Sequence, residues 1–164
     1  MFSIVKLMED VKIIAAYICQ RYQSQFGRGI DEMKLHKLLY FCQREAIIQT
    51  GELLFGAEFE AWKYGPVLVE IRQLFHEETI QRLDVPESIH RYDAIFDKVF
   101  DTYAVKDSWS LSSLTHGETS WQKARVGYDP DAPCHVKLDV EDIRKDAHRI
   151  KLRRIVLGSM DLNQ

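Results

Sequence analysis

Apolar residues recur along most of the chain at the three-to-four-residue spacing of helices, and one aromatic stretch breaks that rhythm. Leu7, Val11, Ile14, Ile18 and Tyr22 fall on one face and predict a helix over about residues 5–24, closed by Gly27 and Gly29. Ile30-Asp31 opens the next element: Asp31 can cap the first free amides, and Ile30 can staple onto Leu35. Leu35, Leu39, Cys42 and Ala46 then form a stripe, and Leu38, Phe41, Ile47 and Ile48 carry apolar character round the other sides. A helix apolar on most sides belongs at the centre of a fold, and Gly51 stands where such a helix would end.

Residues 53–64 are rich in closely spaced aromatics, including Phe55, Phe59, Trp62 and Tyr64, and predict a short extended segment or hairpin. Gly65-Pro66 follows, with Pro66 suited to the first position of a helix carrying Val67, Ile71, Leu74 and Phe75. Pro86 or Ser88 begins a fourth helix with Tyr92, Ile95, Phe96, Val99 and Tyr103 on its face. Ser108 caps a short fifth one with Trp109, Leu111 and Leu114, and Ser120 starts a turn carrying Trp121 and Ala124. Gly127, Pro130 and Pro133 mark a loop. Leu138-Asp139 starts a final helix with Ile143, Ala147 and Ile150 inward, and Asp142 completes a capping-box pattern. The expected fold is a mainly α domain of about five to seven helices with a small β element near residues 53–64. The absence of repeats or linkers suggests one domain over 1–164, with residues 158–164 loose.

Composition adds limits rather than a function. With 46% hydrophobic and 29% charged residues in a chain of 164, a core can form without a disulfide or metal. The net charge of −3 does not indicate a strongly basic nucleic-acid binder. Cys19, Cys42 and Cys134 are an odd number without C-x-x-C spacing, which suits reduced thiols in the cytoplasm. Lys6, Glu9, Asp10 and Lys12 interrupt the N-terminal apolar residues, so no signal-peptide core or membrane span is expected.

The candidate chemistry is sparse. Trp62, Lys63, Tyr64, Gly65 and Pro66 read first as a rigid strand-to-helix corner with its aromatics in the core. The sharper reading makes Trp62 and Tyr64 anchors for a partner, since large stiff aromatics dominate binding hot spots. His116 and Glu118 could be an acid–base pair, but two side chains do not make a catalytic site, and no nucleophile elbow or H-E-x-x-H motif accompanies them. Capping of the helix that ends near Leu114 is the stronger role for His116. Histidines and cysteines are scattered: His36 and Cys42, six apart, diverge by about 120° on a helix. No metal or cofactor is therefore expected. The basic run Arg144, Lys145, Arg149, Lys151, Arg153 and Arg154, interleaved with Glu141, Asp142 and Asp146, reads as a solvated helix face.

Two clusters carry a family resemblance. The first is Lys34-Leu35-His36-Lys37-Leu38-Leu39-Tyr40-Phe41-Cys42-Gln43, followed by Phe59-Glu60-Ala61-Trp62-Lys63-Tyr64-Gly65-Pro66-Val67. The second is Leu111-Ser112-Ser113-Leu114-Thr115-His116-Gly117-Glu118, with Trp121 shortly after. Together they resemble the Panacea antitoxin domain, also called the SocA-like domain, over about Val11 to Ile150; relatives are often described as phage-associated proteins. The resemblance implies a mostly α-helical domain with a small strand element, and the missing catalytic motifs argue against an enzyme. It also implies a role in bacterial or phage toxin–antitoxin pairs, in which the protein neutralises a cognate protein toxin by direct binding and, in one branch, delivers it to a host protease. Trp62, Lys63, Tyr64, Trp109 and Trp121 are the candidate partner-binding or supporting residues. The alternative is a prophage-encoded regulator that binds nucleic acid through its basic C-terminal helix.

Overall fold

The computed structural model describes residues 8–161. Its helices are α1 (Val11–Phe26), α2 (Glu32–Thr50), α3 (Val69–His76), α4 (Asp93–Val99), α5 (Ser108–His116), α6 (Thr119–Ala124) and α7 (Val140–Asp161). A two-stranded antiparallel sheet, β1 (Glu60–Trp62) and β2 (Gly65–Val67), lies between α2 and α3 in sequence. The expectation of a mainly α domain with a small β element is met.

The centre is α2. Asp31 accepts a 2.9 Å bond from Lys34 N at its start, and Gly51 turns left-handed (φ 75°) at its end. Every residue from Lys34 to Ile47 is buried. The apolar ones meet α1, α4, α5 and α7, so the core wraps this one helix. The polar ones need internal partners, because an unpaired buried polar group costs about 1–3 kcal/mol. Gln43 finds them in the irregular segment before β1: its Oε1 accepts from Leu54 N (2.8 Å) and its Nε2 donates to Phe55 O (2.8 Å). That clamp holds Leu54, Phe55 and Phe59 in the core.

A second buried polar group ties the C-terminal half to α2. Arg44 Nη1 donates to Glu118 Oε1 at 2.6 Å, and Tyr40 Oη donates to Glu118 Oε2 at 2.9 Å. Asp146 of α7 accepts from Thr119 N (2.8 Å) and Ser120 N (2.9 Å), and so caps α6 from another helix. Burial pushes the Glu118 carboxyl up despite the adjacent Arg44 guanidinium.

Several boundaries differ from those the sequence predicts. Val11 rather than residue 5 opens α1, because Asp10 is extended and caps Lys12 N; Leu7 lies outside the described residues. Pro66 does not start a helix but pairs with Ala61 in β2, and α3 begins at Val69. The strands therefore sit at the end of the 53–64 stretch and just beyond it. Pro86 begins only a 3₁₀ segment (Glu87–Tyr92), and α4 runs from Asp93 into a π-helical turn (Phe100–Ala104). Asp107, not Ser108, caps α5, accepting from Ser110 N at 2.9 Å. Asp142 forms no capping box: its carboxylate meets Lys123 and Lys145, both at 3.2 Å. Gly158 does not end α7, which continues to Asp161 with Leu152, Ile155, Val156 and Met160 exposed.

Candidate functional site: a cleft built on an anchored hairpin

The β1–β2 hairpin is too short to hold its own shape, since isolated two-stranded ribbons are marginal in water. Side chains from the later helices fix it, carbonyl by carbonyl. Arg125 Nη1 donates to Ala61 O (2.8 Å), Trp121 Nε1 to Trp62 O (2.8 Å), and Ser112 Oγ to Tyr64 O (2.8 Å). Lys37 Nζ donates to Pro66 O (3.2 Å) from α2 below. His116 contacts the Lys63 backbone. On the other side of β1, Ala61 N donates to Val136 O and Leu138 N to Phe59 O, both at 2.8 Å. The second sequence cluster is thus the scaffold of the first: Ser112, His116 and Trp121 hold the loop that carries Trp62 and Tyr64.

Gly65 makes this packing possible. Its φ of 111° is a conformation that L side chains rarely adopt. A Cβ there would lie 2.4 Å from Thr115 Oγ1 and 2.7 Å from Lys37 Cε.

Between the hairpin and the start of α2 opens a cleft of about 450 Å³. Glu32, Met33, His36 and Lys37 face it from two turns of α2, since residues three or four apart share a helix face. Trp62, Lys63, Tyr64 and Val67 supply the hairpin wall, Arg72 comes from α3, and the loop 131–135 closes the far side. Trp62 is held between Arg72, whose guanidinium lies 5.4 Å from the ring centroid, and the edge of His135 at 5.5 Å. Lys63 pairs with Asp131 at 3.1 Å.

The charges lining the cleft are paired, with one exception. Glu32 meets Arg72, His76 (2.6 Å) and His36 (3.5 Å); the His36 ring, then His76 and Arg72, hold its carboxyl down at about 2. His36 is 2% exposed, and burial lowers its affinity for a proton. Its Nδ1 accepts from Leu68 N at 3.3 Å, which places the ring proton on Nε2. That Nε2 lies within ion-pair range of Glu32 but makes no hydrogen bond. Lys37 is 1% exposed and has no carboxylate within 4 Å among the described residues; burial lowers it to about 7.

The sequence-predicted residues separate into three groups. Trp62, Lys63 and Tyr64 line the cleft, and Gly65 and Pro66 are buried beneath it. Contrary to the core-filling reading, Tyr64 is 44% exposed and stands edge-on to Trp109, itself 62% exposed, at 5.2 Å. His116 does not cap α5, whose end is closed by backbone bonds from Gly117 N and Glu118 N. Its ring stacks instead on Trp121 at 4.1 Å and 6°, because the indole offers a flat apolar face. Glu118 does not orient His116; it belongs to the Arg44–Tyr40 group. Sequence reading missed Glu32 and Arg72 as site residues, named Lys37 only within a motif, and weighed His36 otherwise only as a metal ligand. The available signal was a His-Lys pair flanked by Leu35 and Leu38 on the central helix.

No group of three or more His, Cys, Asp or Glu among the described residues could hold a metal ion. All three cysteines are free and buried, and burial pushes the Cys19 thiol up to about 12. In α7, Arg144, Lys145, Arg149 and Arg154 are occupied by Gly51 O, Asp142, Glu118 and Glu45 respectively. No helix among the described residues is long and apolar enough to cross a membrane.

A family model described as "Antitoxin SocA-like, Panacea domain" matches residues 35–122, which run from α2 into α6 and include the hairpin and its anchors Lys37, Ser112 and Trp121. No curated protein and no solved structure matches the chain.

Proposed function

The chain belongs to the SocA-like antitoxin family with a Panacea domain, and from that premise we propose that it neutralises a cognate toxin by binding it directly at the hairpin rim. The observation that carries this reading is the exposed edge-to-face pair Tyr64–Trp109. Two large exposed aromatics from different elements form a stiff contact patch of the kind that dominates protein interfaces. The patch is held in place before binding. Ser112 fixes the Tyr64 backbone and Asp107 caps the helix that carries Trp109, so little ordering entropy opposes association.

Neutralisation then proceeds by occlusion. The aromatic patch covers an apolar part of the toxin's working surface, and rim charges such as Lys63 and Asp131 set orientation and encounter rate. The basic-helix alternative has less support. Four of the six basic groups in α7 have internal partners, three of them carboxylates that offset their charge, which weakens the case for a phosphate-binding face. The test is co-expression with the product of the neighbouring gene, comparing wild type with Tyr64→Ala/Trp109→Ala. The wild type should form a complex and restore growth. The double variant should be folded and bind at least about 100-fold more weakly, as expected for loss of two hot-spot residues. Undiminished rescue by a folded double variant would move the interface elsewhere.

A further inference from the structure

The cleft beside the hairpin is more than the back of the toxin-binding rim. It has the volume and the lining of a ligand site: about 450 Å³, apolar and aromatic walls, and a few polar groups at fixed positions. Its charges do not balance. Arg72 is paired with Glu32 and Lys63 with Asp131. Lys37 is buried as deeply as the core leucines, and its amine has one hydrogen-bond acceptor, Pro66 O, for three donors. Beside it in sequence, the buried His36 turns its Nε2 toward Glu32, 3.5 Å away and too far for a good hydrogen bond, so the Glu32 carboxylate serves His36, Arg72 and His76 and leaves Lys37 without one. A buried amine without an ion-pair partner, at the wall of an apolar cleft, is complementary to an anion with an apolar body.

We propose that this cleft binds a carboxylate carried on an aromatic or apolar group, with the carboxylate drawn to Lys37 and the apolar part against Trp62, Met33 and Val67. A carboxylate fits better than a phosphate. The site offers one cation without an ion-pair partner, and the Glu32 and Asp131 carboxylates lining it would repel a second negative charge. The same chemistry occurs in a free aromatic acid and at the C-terminal end of a polypeptide. The proposal goes beyond toxin neutralisation and stands or fails on ligand binding by this chain alone.

Lys37 also reports on its own occupancy. Burial lowers it to about 7, against the more distant carboxylates of Glu32 and Asp31, which pull it up. His36 and His116 lie within electrostatic reach of it, and Arg72 within reach of His36. A carboxylate at the amine would move its titration upward.

The experiment uses the full chain and two matched pairs of probes: indole-3-acetate with its amide, and acetyl-Gly-Gly-Phe with its C-terminal amide. Calorimetry measures binding to wild type and to Lys37→Met, whose fold is checked by circular dichroism. Lysine side-chain NMR on the wild type follows the Lys37 titration, so the result does not depend on the variant folding. At least one acid should bind at least about tenfold more tightly than its amide, the size expected for a charge-assisted hydrogen bond. It should raise the Lys37 titration by one unit or more, and Lys37→Met should remove the preference. Binding by the small acid identifies a free ligand, and binding by the peptide alone identifies a chain end. Failure of both acids to bind, equal binding of acid and amide, or an unmoved Lys37 titration overturns the proposal. Growth rescue by the wild type, measured separately, distinguishes that failure from failure of the antitoxin reading.

Discussion

Lys37 fits beneath the hairpin only because residue 65 has no Cβ. Gly65→Ala would force an L side chain to φ 111° and press it into Thr115 and Lys37. Backbone strain of about 1–3 kcal/mol and overpacking of similar size add up to an expected loss of about 2–5 kcal/mol in urea unfolding. A loss under about 0.5 kcal/mol would show that the hairpin is free to shift. Lys37 itself gives stability a pH dependence. Its folded value is lowered from 10.5 to about 7. Between those values the unfolded chain holds a proton that the folded chain has released, so stability rises with pH across that window. Below pH 7 both states are protonated and the penalty is constant. Glu32 has the opposite sense. Its carboxyl is lowered from 4.5 to about 2, so its contribution is complete above about pH 4.5 and is lost as pH falls toward 2. Lys37→Met should flatten the alkaline limb and leave the acid limb in place. Parallel wild-type and variant profiles between pH 7 and 10.5 would contradict the assignment.

Among the elements, α6 is too short to persist alone and depends on Asp146, which accepts from the two amides at its start. Asp146→Ala removes that cap and leaves buried donors unpaired. Cap loss and unsatisfied donors together predict a cost of about 2–4 kcal/mol. Amide exchange should show α6, and the Trp121 anchor it carries, losing protection first; uniform loss across the chain would contradict a local role. This dependence also marks where the sequence stopped being legible. The stripes of α1 and α2 and the caps Asp31, Gly27 and Gly51 could be read because they act within a few residues. Pro66 was read as a helix start because a local rule favours it there, whereas pairing with Ala61 and anchoring by Lys37 decided for a strand. Asp107 was passed over for its neighbour Ser108, since both are good caps and geometry chooses between them. Asp146 reaches α6 from another helix, and no local spacing announces that. The site follows the same pattern. Trp62 and Tyr64 could be picked out by residue type, but Glu32 and Arg72 enter only when α2, the hairpin and α3 come together.

At the scale of the molecule, the two sequence clusters form one device. The first cluster supplies a central helix and a hairpin that bears aromatics. The second supplies Ser112, His116 and Trp121, which hold that hairpin rigid. A rigid rim with exposed Tyr64 and Trp109 on a helical scaffold suits a protein whose task is to cover another one. Because most cations of α7 are internally paired, a titration against double-stranded DNA at low salt should be flat; binding that weakens steeply with added salt would instead place a phosphate-reading surface on this helix.

Growth rescue with a pull-down, using the neighbouring gene product against wild type and the folded Tyr64→Ala/Trp109→Ala variant, reads toxin binding at the hairpin rim without an intermediate step. Wild type should form a stable complex and restore growth, and the variant should lose both. Absence of any wild-type complex or rescue would contradict the antitoxin reading, and equal rescue by both proteins would contradict the hairpin rim as its interface.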